Sequence, residues 1–145
     1  MKTIEKPFKY FDVTADIGFT AYGNSLEESF QNAALAMFNV ISDTDDIDSK
    51  ENLSFSIESE DEVSLLYDFL EELLFYHEIE FMLFSKFNLK ITQIANGFKL
   101  DAIISGDKIN WDIHKRKSEV KAITYHLMNV SKDNGIYKLK AILDL

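Results

Sequence analysis

Cysteine is absent from the 145 residues, which excludes a disulfide framework and any thiolate metal site. Proline occurs once and glycine five times, too few for linkers or low-complexity segments, so the chain reads as compact throughout. No run approaches the ~18 consecutive apolar residues that a membrane-spanning helix needs; the longest candidates are broken by Asp68, Glu71 and Glu72. The opening MKTIEKPFKY has no apolar core of the kind a signal peptide carries, and the expected location is the cytoplasm. Bases are also scarce: 15 Lys and Arg against 25 Asp and Glu give a net charge of -10. Fourteen of those acids and a single base, Lys50, lie between Ser42 and Glu80, leaving the rest of the chain close to +3. Strong direct nucleic-acid binding is therefore not expected, because it needs several cations on phosphates. A basic protein partner suits this charge better.

At this length residues 1–145 make one domain, large enough to bury roughly two thirds of the surface of the unfolded chain. Phe8, Tyr10 and Phe11, then Ile17, Phe19, Ala21 and Tyr22, read as two strands joined by a tight reversal at Thr14, Ala15 and Asp16. Ser25 and Glu28 form a capping box ahead of Leu26, Phe30, Ala33, Met37, Phe38 and Ile41, whose spacing predicts a helix to about Ile41. LSFSI alternates as a short strand. Ser59 and Glu62 predict a second cap before Val63, Leu66, Leu70, Leu73, Leu74 and His77. Tyr67, Phe69, Phe75 and Tyr76 widen that stripe, as expected of a helix packed under more than one sheet face.

Beyond Phe84 the period becomes two, with Asn96-Gly97 expected as a hairpin turn, SGDKIN as a further turn and WDIHKRKS as a basic connector. EVKAITYHLMNV alternates, and Asp133-Asn134-Gly135 turns it into IYKLKAILDL. The predicted class is α+β: two helices packed on one face of a largely antiparallel sheet, in a single two-layer domain.

Asp16 stands at the neck of the first hairpin, and Asp144 sits beside the α-carboxylate of Leu145 at the end of the last strand. If those two strands are neighbours, the three groups supply the oxygen ligands that a hard divalent cation takes. Otherwise Asp16 is a turn residue and Asp144 a surface acid. His77, on an apolar stripe, fits a hydrogen-bonded core histidine better than a ligand.

TADIGFTAYGNSLEESFQNAALAMF, LLYDFLEELLFYHEIE with FSKF after it, and EVKAITYH with the closing Asp-Leu strongly resemble the archease family, in the same order and over nearly the whole chain. The resemblance implies an accessory protein, not an enzyme, that activates an RtcB-type RNA ligase. Such a ligase joins 2′,3′-cyclic-phosphate or 3′-phosphate RNA ends to 5′-hydroxyl ends in tRNA splicing or RNA repair. The accessory protein promotes guanylylation of the ligase histidine, permits multiple turnover and broadens nucleotide use. It also implies a divalent metal, calcium with magnesium or manganese as alternatives, held by Asp16, Asp144 and Leu145. Lys121 falls in a second strong block, where it would neutralise the site or touch the ligase, or else stand as a solvent-facing lysine on an edge of the sheet. One departure stands out: Val13 occupies the position before Thr14 where the family usually has histidine.

Two other readings follow from the residues. A metal-dependent hydrolase would use Asp16 and Asp144 with His126 or His114 as base, although HExxH and glycine-rich phosphate motifs and a serine nucleophile elbow are missing. A generic chaperone or oligomerisation module would use the aromatic second helix.

Overall fold

The computed structural model describes residues 6–145. Seven strands and two α-helices follow one another as β1 (Phe8–Val13), β2 (Asp16–Gly23), α1 (Leu26–Ile41), β3 (Glu51–Ser59), α2 (Glu62–Glu80), β4 (Met82–Ile94), β5 (Gly97–Lys108), β6 (Ala122–Asp133) and β7 (Ile136–Asp144). A short 3-10 turn, Thr44–Asp46, interrupts the acidic loop after α1. The order and the α+β class are those the sequence predicts. The strands are dealt into two antiparallel sheets, β1-β2-β7-β6 and β3-β5-β4, and the helices pack against both.

Helix α1 touches β2 and β7 of the first sheet and β4 of the second, so it has almost no solvent face. Phe30, Ala33, Ala34, Ala36, Met37, Phe38, Val40 and Ile41 are accordingly all buried. Small alanines on one side let the backbone approach a sheet, while Phe38 fills the other side against Phe84 and Phe87. Helix α2 contacts β6 of the first sheet and all three strands of the second, which is why its apolar stripe is so wide.

The first cap forms nearly as read. Ser25 Oγ accepts the Glu28 N–H at 3.0 Å, and the Glu28 carboxylate reaches back to the Asn24 N–H at 2.8 Å, one residue earlier than the usual box. The second cap does not form at Ser59. Asp61 is the N-cap, its Oδ1 accepting the Ser64 N–H at 2.7 Å, while Ser59 Oγ donates to Asp68 Oδ2 at 2.6 Å. The reason is pairing: Ser59 is still held opposite Phe98 in the β3–β5 ladder, so the chain cannot turn into a helix until two residues later.

Two turns also move. Ile94 pairs with Gly97, leaving Ala95 and Asn96 as the loop, so Gly97 opens β5 where the sequence suggests the second turn residue. SGDKIN does not turn: Ser105 to Lys108 remain in β5 because β4 flanks them on one side and β3 holds Ser105 and Gly106 on the other. Asn134 and Gly135 do form the expected two-residue turn, both with positive φ, 52° and 79°. The alternation read through EVKAITYHLMNV breaks inside β6. Thr124 pairs with Ile142 and Asn129 with Lys140, so Tyr125 to Met128 bulge out opposite Ala141 alone, with Leu127 at φ 60°.

Candidate metal centre

Thr14 and Ala15 form the β1–β2 turn, with Ala15 at φ 63°, and Asp16 is the first residue of β2. Along β2, Phe19 and Ala21 are buried and face α1, as are their β7 partners Ala141 and Leu139. Strand period two then places Asp16 on the opposite face. Its partner across the ladder is Asp144, so the two side chains share that face as directly opposed neighbours. The row continues to Val13 on β1 and Ala122 on β6. Leu145 completes the group: its N–H donates to Asp16 Oδ1 at 3.4 Å. Lys121 anchors the strand end from the other side, its N–H donating to the Asp144 carbonyl at 2.8 Å.

The structure therefore brings together Asp16, Asp144 and Leu145, which lie at opposite ends of the chain. Among the described residues no lysine, arginine or histidine forms an ion pair with either aspartate; the Lys121 side chain is exposed and unpaired. Like charges directly opposed in a ladder repel, and among the described residues no ion pair compensates them. All the donors are hard oxygens, the set that calcium or magnesium accepts with backbone carbonyls and water. The donor chemistry fits such a cation. Among the described residues no three His, Cys, Asp or Glu side chains gather into a metal cluster, so the pair requires a further oxygen beyond side chains. Val13, standing opposite Asp16, adds an apolar wall where a histidine would have added a nitrogen.

The histidines lie elsewhere. His114 is buried in the β5–β6 connector, its Nε2 3.9 Å from Asp107 Oδ2 and its Nδ1 accepting the Asn110 N–H at 3.1 Å. His126 is exposed on the β6 bulge, its own N–H donating to Thr124 Oγ1. Neither joins the carboxylates in a cluster. His77 is hydrogen-bonded as expected, with Nδ1 2.7 Å from the Met82 carbonyl oxygen and its ring edge-on to Phe38, but it is half-buried at the edge of the core and not inside it.

Sequence reading missed two features near these elements. Tyr125 of the bulge stacks flat on Tyr67, 3.9 Å between ring centroids, and the Tyr67 hydroxyl is pushed above its ordinary pKa chiefly by its hydrogen bond to Glu71. In the connector, Arg116 lies over the Trp111 ring. Alternation hid the first; the pairing of the single tryptophan with a KRK run signalled the second.

Fold and site together define a small α+β protein in which two antiparallel sheets share a helix pair and a carboxylate pair, Asp16 and Asp144, is opposed across the β2–β7 ladder. The chain belongs to the archease family: the Archease protein family (MTH1598/TM1083) matches residues 8–145. Protein archease of Methanothermobacter thermautotrophicus is 51% identical over 140 residues, 97% of this chain and 99% of the relative. Protein archease of Pyrococcus abyssi is 46% identical over 127 residues, 88% of this chain and 89% of the relative. The solution structure of Methanobacterium thermoautotrophicum protein 1598 is similar with a TM-score of 0.87 at 51% identity, covering 96% of this chain and 99% of that one. The crystal structure of a Thermotoga maritima archease, named a possible chaperone, has a TM-score of 0.63 over 100% of both chains at 22% identity, a likeness of fold alone. Among the described residues no helix is long and apolar enough to cross a membrane.

Proposed function

We propose that the protein is an accessory activator of an RtcB-type RNA ligase and not itself an enzyme. The observation that carries the site is the Asp16–Asp144 cross-strand pair with Leu145 bonded to it, in a chain of the archease family. Asp16, Asp144 and the α-carboxylate of Leu145 would hold one divalent cation, calcium by the family resemblance, with magnesium or manganese as the alternatives. When bound, that cation supplies positive charge that offsets the carboxylate repulsion and fixes the hairpin to the last strand. The exposed Lys121, adjoining Asp144 through its backbone, is left to meet the ligase. The acid-rich span from Ser42 to Glu80 complements a ligase whose RNA channel is basic. Docking would align the ligase histidine and nucleotide for guanylylation and release the enzyme for repeated cycles in tRNA splicing or RNA repair.

The test is a ligation assay with the cognate ligase, GTP, Mn²⁺ and a 3′-phosphate RNA in large excess over enzyme. The wild-type protein is expected to turn a single round into many, and Asp16→Ala and Asp144→Ala to lose most of that gain. Absence of any stimulation by the folded wild type overturns the reading.

A chaperone or oligomerisation role has one observation in its favour: Phe75, Ile79 and Phe81, at the end of α2, are 51%, 56% and 68% exposed. Light scattering decides it, since that role requires self-association or binding of unrelated unfolded clients.

A further inference from the structure

We propose that the pocket lined by the end of α1, the last turn of α2 and the β5–β6 connector binds an unstacked purine nucleotide, guanine in preference to adenine, either free or at the end of an RNA strand. The inference stands independently of the ligase reading. The pocket has a volume of about 200 Å³, with Ile41, Ile109 and Trp111 as its apolar wall. Ligand sites for drug-sized molecules run to roughly 300–1,000 Å³, so this one takes a single ring system and leaves the remainder of a nucleotide outside.

The connector that builds it is fixed at several points. Ile109 N–H donates to the Phe81 carbonyl at 2.8 Å, Lys117 N–H to Ile41 at 3.0 Å and Ser118 N–H to Val40 at 3.1 Å. Those last two bonds satisfy carbonyls that the end of α1 leaves free, and buried His114 pins the middle of the loop through Asn110. A pocket on so anchored a loop is formed before any ligand arrives.

Its chemistry carries both signs. Arg116, the only arginine in the chain, holds its guanidinium 5.1 Å from the centroid of Trp111, the only tryptophan. Among the described residues no carboxylate pairs with Arg116, although the protein carries a net charge of -10. Lys117 adds a second cation, shared with Asp43 at 3.2 Å. Glu119 lines the same pocket and among the described residues forms no ion pair, and His77 lines it with its Nδ1 engaged by the Met82 carbonyl. A simple anion would be repelled by Glu119 and a simple cation by Arg116. A ligand with a phosphate and an N–H edge satisfies both. Aromatic and guanidinium planes are the surfaces on which unpaired bases stack, and guanidinium also grips phosphate. A carboxylate accepts from adjacent N–H groups, which guanine presents at N1 and N2 and adenine does not.

The single tryptophan gives one indole N–H signal in an ¹⁵N-correlated NMR spectrum, a reporter inside the pocket. The full chain is titrated with GMP, AMP, inorganic phosphate and two short unpaired RNAs differing only in a terminal G or A. Saturable movement of the indole signal by GMP or by the G-ended RNA, weaker with AMP or the A-ended RNA, supports the proposal, and whichever of the two G probes acts identifies the source. Arg116→Ala should weaken binding about fivefold or more, and Glu119→Gln should bring the guanine-to-adenine ratio close to one, with retained peak dispersion showing both variants folded. No movement with any nucleotide or RNA up to about 5 mM overturns it. So does equal movement with phosphate alone, or unchanged binding in the folded Arg116→Ala protein.

Discussion

Asp16 and Asp144 face each other directly across the β2–β7 ladder, with no cationic side chain paired to either among the described residues. Opposed like charges cost on the order of 0.5 kcal/mol. Asp144→Asn is therefore expected to be slightly more stable than the wild type in EGTA, by about that amount. In excess calcium the order should reverse, because a cation at one hundred times its dissociation constant stabilises the wild type by about 2.7 kcal/mol and finds no complete site in the variant. Thermal melts in calcium and in EGTA check this. Equal calcium stabilisation of both proteins would remove the metal from this site.

The start of α2 is a contest between two serine and aspartate caps. Asp61 Oδ1 holds the Ser64 N–H, so Asp61→Ala should cost about 1 kcal/mol in urea unfolding. Ser59→Ala loses only a half-exposed hydroxyl bond to Asp68 and should cost less. The reverse ranking would mean that the helix begins where the sequence alone suggests.

Gly106 is required by close approach. A Cβ there would stand 1.9 Å from the Leu83 carbonyl oxygen, a backbone atom that cannot step aside, at the point where β4 bulges between Phe84 and Lys86. Gly106→Ala should cost about 2–4 kcal/mol. At Gly135 nothing lies within 4 Å, and only its φ of +79° opposes a side chain, so Gly135→Ala should cost about 1 kcal/mol. Denaturation midpoints of the two variants provide the comparison.

Tyr10 is 40% exposed as a residue, but its hydroxyl donates to the Ala36 carbonyl at 2.7 Å, and the partial burial of that end raises its pKa above the ordinary tyrosine value. The folded protein thus keeps this proton at pH values where the unfolded chain releases it. Its contribution is complete below about pH 10 and declines as pH rises further. Tyr10→Phe should lose about 1 kcal/mol near neutrality, and the gap should shrink between about pH 10 and 11.5. Urea unfolding of both proteins across that range is the measurement. A gap that widens with pH would contradict the sign. Tyr67, Tyr76 and Tyr125 are raised as well, so the variant keeps part of the alkaline sensitivity.

Local signals were legible where local physics decides. The Ser25 cap, the period of α1, the alternation of LSFSI and the Asn134-Gly135 turn all formed, since each depends on residues within a few positions. Signals failed where a partner strand overrode them. Asn96-Gly97 is the stronger turn dipeptide, yet the β4–β5 register sets the loop one residue earlier. Ser59 has the residue type of a cap but belongs to a ladder. The β6 bulge was invisible because Tyr125 to Met128 continue a plausible alternation that β7 does not follow.

The sequence by itself determined the order of elements, the α+β class and the alternation of faces in strands without a bulge, such as β3, because periodicity and capping act within a turn or two of chain. Only the tertiary structure decided which strands are neighbours. Period two tells a carboxylate its face and says nothing of who stands beside it. Asp16 and Leu145 are 129 positions apart and meet only because the first hairpin and the last strand bury their apolar faces against the same helix. The split into two sheets, and the pocket joining Trp111, Arg116 and His77, were settled in the same way, by long-range packing.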